Sequence, residues 1–203
     1  MESNWAVEHL QSIRTLMERS AVYRRALAPI MIFAGATGLV TMGLGLGLGI
    51  NSSRGFCWLW LGAAAVAVTG AFLLARRQAI KDHEPFWSPP TRRVTQAMLP
   101  PLLAGFCLGL LLLVFGHGIE LAVTLIWMVF YGCALHAAGF FTPRGVRRLG
   151  WVFITGACAL VFLHQAAKDL QYNSHLLMGF FFGVLHLAYG VYLYLTEKRK
   201  NAA

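Results

Sequence analysis

The stretch RRALAPIMIFAGATGLVTMGLGLGLGI, residues 24–50, decides the class of this chain. An arginine pair is followed by twenty-five residues without one charged side chain. An α-helix rises about 1.5 Å per residue, so roughly twenty apolar residues cross a hydrocarbon layer of about 30 Å. Working outward, five more runs of this kind follow. The expected spans are about 27–50, 57–75, 98–116, 119–140, 149–167 and 175–195. The second and fifth are short, and should cross nearly upright or extend into their flanks.

Composition agrees. Of 203 residues, 58% are hydrophobic and 12% charged, against about 25% charged in a soluble domain. The expected fold is an all-α membrane protein, one six-helix bundle over 27–196, with no room for a second domain. Cys57, Cys107, Cys133 and Cys158 form no CxxC pair and carry no disulfide or zinc-ribbon signal. The first 25 residues hold four arginines and three glutamates and lack a short apolar core, so no cleavable leader is expected.

The net charge of +9 suggests nucleic acid only until its distribution is read. The basic residues flank apolar runs instead of covering one face. With the N-terminus inside, fifteen of the seventeen Lys and Arg residues fall on the inner side, leaving only Arg54 and Lys168 outside. So lopsided a division over short loops points to both termini in the cytoplasm. The outer connections, 51–56, 117–118 and 168–174, are short, which predicts three antiparallel hairpins. A basic tail, 197–203, follows the last span. The pairs Arg24–Arg25, Arg76–Arg77, Arg92–Arg93 and Arg147–Arg148 either set topology, bind anionic lipid headgroups or dock a soluble partner.

Residues 1–26 read as an amphipathic helix with an apolar stripe of Ala6, Leu10, Ile13 and Met17. It lies on the membrane surface with Trp5 as anchor, or packs on the cytoplasmic end of the bundle. The longest loop, 76–97, faces the cytoplasm; Pro85, Pro89 and Pro90 bar a continuous helix there, and Phe86 and Trp87 should dock at the interface. A faint threefold repeat is visible, each odd span following an Arg-Arg pair and carrying an Ala/Gly pair. Basic flanks and small packing residues, which every inward-ended helix needs, explain it better than three related hairpins.

The first span is dense in glycine. Gly43 and Gly47, like Gly179 and Gly183 in the sixth span, are small residues four apart that let helices approach closely. Packing within the chain, a homodimer face and a deformable helix all fit this pattern.

Histidine is the only titratable type with an intramembrane pattern. His175 and His186 are eleven residues apart, almost three α-helical turns, which places both on one face. His136 lies in the fourth span, and His117 and His164 near the outer ends of the fourth and fifth. Three readings compete. Neutral histidines can bridge helices by hydrogen bonds. Paired axial histidines can hold haem. His117, His164 and His175 with Glu120 or Asp169 can hold zinc at the outer face. Any buried ligand site belongs among the last three spans, because the first three contain no histidine.

No Asp, Glu, Lys or Arg lies mid-span, which weakens an ion-coupled transporter and leaves a neutral or amphipathic cargo open. No Walker loop, HExxH, GxSxG or Rossmann glycine pattern is present. The stretches IRTLMERSAVYRRALAPI (13–30) and EPFWSPPTRRV (84–94) resemble a family of uncharacterised bacterial six-span inner-membrane proteins. That resemblance implies a bacterial inner (cytoplasmic) membrane setting and carries over no activity, cofactor or site residue. The reading is a non-enzymatic scaffold, accessory subunit or small-solute passage built by a homo-oligomer or larger membrane complex. Its alternative is a haem- or metal-binding redox protein or hydrolase.

Overall fold

The computed structural model describes residues 26–83, 85–115, 119–167 and 172–201. The expected N-terminal amphipathic helix, the Arg24–Arg25 pair and His117 lie outside them. Among the described residues there is no strand, and six helices are long and apolar enough to cross a membrane.

Helix α1, Ala26–Gly47, is the glycine-rich run. It closes where Gly49 takes φ +60°, a left-handed conformation open to glycine at little cost, and Ile50 donates its N–H to the Gly45 carbonyl at 3.0 Å. Helix α2, Ser53–Lys81, starts at Ser52, whose hydroxyl accepts the Gly55 N–H. It outruns the expected 57–75 at both ends. No residue there breaks a helix, and Arg76, Arg77 and Lys81 are exposed on it. His83, at φ 53°, turns the chain out of the helix.

Helix α3, Pro89–Phe115, begins on the prolines expected to interrupt a helix. In a first turn proline loses no hydrogen bond, because those N–H groups have no intrahelical acceptor. Pro100 and Pro101 lie inside the same helix. Helix α4 is Glu120–Ala138 and α5 is Arg144–Ala166. Helix α6 covers residues 174–201. It starts as an α-helix over Ser174–Met178, widens to a π-helical turn over Gly179–Val184, and resumes over Leu185–Asn201. Within the turn's hydrogen-bonding frame, Leu185 donates to the Phe180 carbonyl, five residues back. The helix therefore takes in part of the basic tail.

Helix α4 packs along both α3 and α5. In the most apolar stretches of α4 and α6, 39% of residues are buried, against 11% in α2 and α3. The first two are therefore central and the second two peripheral. One core joins Leu27, Met31, Met128, Leu135, Phe153 and Phe181; a second joins Phe56, Trp60, Val123 and Met178.

Helices α1 and α6 meet backbone to backbone. A methyl group on Gly35 would lie 2.5 Å from the Leu187 nitrogen, and one on Gly38 would lie 2.7 Å from the Phe182 carbonyl oxygen. From the other side Gly179 faces Met42 and Gly183 faces Leu39. A methyl group on Gly43 or Gly47 would meet nothing within 4 Å among the described residues. The close approach thus uses the other glycine face of α1, with Gly45 set against the His175 ring.

Candidate functional site

The polar interior consists of two histidine-centred networks at different levels of α6. The first lies near the start of that helix. Asn173 caps it, its side-chain oxygen accepting the N–H groups of His175 and Leu176. The His175 ring is buried. Its Nδ1 lies 3.2 Å from the Trp60 indole nitrogen on α2, and its Nε2 lies 2.9 Å from the Ile50 carbonyl oxygen. An indole N–H only donates and a carbonyl only accepts. Nδ1 therefore carries the lone pair and Nε2 the proton, a neutral ring with both nitrogens in use. Phe56 meets it edge-on at 4.9 Å between ring centres.

The second network lies deeper. His186 is 1% exposed, and its Nδ1 lies 3.1 Å from the Phe181 carbonyl oxygen, five residues back on its own helix. That carbonyl belongs to the π turn, whose wider pitch changes the ordinary ladder. Nδ1 must carry the proton, which leaves Nε2 to accept from the Tyr131 hydroxyl on α4 at 2.7 Å. The two histidines therefore hold opposite tautomers. Tyr131, Phe153 and Phe182 surround the second ring.

The one-face expectation for His175 and His186 fails here. It assumed an uninterrupted helix of 3.6 residues per turn. The π turn takes up one extra residue and so removes about 100° of rotation. His175 consequently meets α2 and the α1–α2 connection, while His186 meets α4.

The other candidates are dispersed. Glu120 opens α4 and accepts the Ser53 hydroxyl at 2.7 Å. His164 is exposed, with the Tyr172 ring 6.1 Å away. His136 sits edge-on to Phe140 and Trp151, and its Nδ1 is enclosed without a hydrogen bond. Among the described residues no three His, Cys, Asp or Glu side chains are grouped to hold a metal ion. An axial haem ligand needs a free imidazole nitrogen, and His175 and His186 have none. These two residues do not fit haem without surrendering a helix-to-helix bond. Arg76, Arg77, Arg92, Arg93 and Arg148 are exposed, while Arg147 is half-buried.

Trp60 and Tyr131 are the partners that sequence reasoning missed. The available signal was that each is a hydrogen-bonding aromatic inside an apolar run, on a helix facing a histidine. Which carbonyls completed the networks was not readable, because that depends on the α1 terminus and the π turn. No protein-family model, curated protein or solved structure matched the chain.

Proposed function

We propose that this polytopic membrane protein is a non-enzymatic component: a scaffold, accessory subunit or small-solute passage built by a homo-oligomer. One observation carries the reading. The two buried histidines, the best-placed groups for interior chemistry, spend all four ring nitrogens on neighbouring protein atoms. Groups tied up in this way join helices and leave no lone pair for a metal, a haem or a substrate. The exposed, small-residue face at Gly43 and Gly47 supports the oligomer, since nothing among the described residues covers it.

The proposed setting is a bacterial inner membrane with both termini cytoplasmic, supported by the arginine division along the chain and by the resemblance of residues 13–30 and 84–94. The rim of Arg76, Arg77, Arg92, Arg93, Arg147 and Arg148 then faces anionic headgroups. Exposed Trp87 and Ile80 stand beside it as interfacial anchors. Mass measurement of the purified, undenatured protein tests the assembly. A complex of two or more chains, or a stable complex with another membrane protein, is expected. A strictly monomeric species with no companion would contradict the proposal.

A further inference from the structure

The seam between α4 and α5 carries a cluster that neither histidine network uses. Arg147 lies in the first turns of α5. Its guanidinium carbon is 5.3 Å from the centre of the Phe140 ring, and its backbone is pressed against Gly139 just past the end of α4. An aromatic face holds a guanidinium by cation–π attraction and leaves its five N–H donors for other acceptors. No carboxylate pairs with Arg147 among the described residues. The first turn of α5 has no acid and no side-chain cap, and exposed Arg144 and Arg148 add two more cations.

His136 stands across the same seam, its ring centre 5.4 Å from Phe140 and 5.2 Å from Trp151. A neutral imidazole presents one N–H donor and one acceptor. Among the described residues neither is matched by a protein atom, and only Nδ1 is fully enclosed. Nε2 is thus the His136 atom that a ligand at the seam can reach, and Arg147 has no paired anion among the described residues. Phe140 and Trp151 are 64% and 52% exposed, so the apolar surface continues outward from the charges.

An oxyanion meets the donors, and an acyl chain attached to it meets the exposed rings. We propose that this seam is a discrete binding site for the headgroup phosphate of an anionic phospholipid. Arg147 is its principal ligand; His136, Arg144 and Arg148 complete it. A free phosphate shares the anion chemistry but makes no use of Phe140 and Trp151. The inference deepens the anionic-rim reading above and rests on the arginine-bearing ends of the helices meeting the membrane surface.

The test uses the full chain in neutral detergent, with lipid retention read by native mass spectrometry. The probes are phosphatidylglycerol, phosphatidylcholine and soluble glycerol phosphate. Phosphatidylglycerol should be retained in preference to phosphatidylcholine. Arg147→Gln should weaken retention about tenfold, the scale of one charge-assisted hydrogen bond. Arg147→Lys should fall between, His136→Phe should weaken retention several-fold, and Arg54→Gln at the far end of α2 should leave it unchanged. Equal losses in Arg76→Gln, Arg92→Gln and Arg147→Gln would overturn the discrete site while preserving the general rim. No loss in any of them would overturn both. Displacement of the lipid by equimolar glycerol phosphate would overturn the lipid assignment. Should Arg147→Gln lose its helical circular dichroism, Arg147→Lys and His136→Phe decide the matter.

Discussion

At the scale of single residues, His175 and His186 bridge helices by hydrogen bonds, and their tautomers follow from their neighbours. Tyr131→Phe removes the hydroxyl that His186 Nε2 accepts. Trp60→Phe removes the corresponding donor to His175 Nδ1. Each should lower stability by about 1 kcal/mol, the usual scale for one interhelical hydrogen bond plus an acceptor left unmade. Thermal unfolding in detergent measures both. Because the two networks touch different helices, the double variant should show nearly additive losses; strong coupling would mean that α6 transmits between them. The sequence exposed the histidines as polar residues in apolar runs. It hid their partners, since a carbonyl oxygen is present at every position and only tertiary placement selects Ile50 and Phe181.

At the scale of helices, apolar length was legible and phase was not. Each of the six spans was readable because charge stops and starts around it. Both ends of α2 and the starts of α3 and α5 lie outside the expected spans, because the apolar run marks the hydrocarbon layer and the helix continues until a conformational stop; α1 and α4 instead stop short of their expected ends. The π turn, and with it the rotation of His186 away from His175, left no mark in the spacing. The same holds for the glycines. All five in α1 share one composition signal, yet only some face α6. Gly35→Ala should cost about 1–3 kcal/mol, because its methyl group meets backbone and cannot be relieved by a rotamer change. Gly43→Ala, with open space before it, should leave chain stability unchanged or slightly raised. Melting temperatures of the two variants decide whether α1 packs through the face described. If Gly43 lies in the oligomer contact, that variant should instead lower the assembled fraction at constant chain stability.

At the scale of the whole molecule, the division of basic residues along the chain predicts one orientation. A reporter enzyme active only outside the cytoplasm should be silent when fused after residue 203 and active when inserted at residues 51–52. The reverse pattern would invert the proposed topology. The larger claim is that the buried histidines hold helices together and serve no cofactor. Sequence alone left haem, zinc and structural roles open, because all three use the same residue type at loosely defined spacing. For His175 and His186 the hydrogen-bond geometry favours the structural role, since each alternative needs a free nitrogen that these two rings lack. The most direct measurement is the absorption spectrum of the purified protein, with metal analysis of the same sample. The account predicts only aromatic absorbance and no stoichiometric metal. A Soret band, or one metal ion per chain that is lost in His175→Ala or His186→Ala, would contradict it.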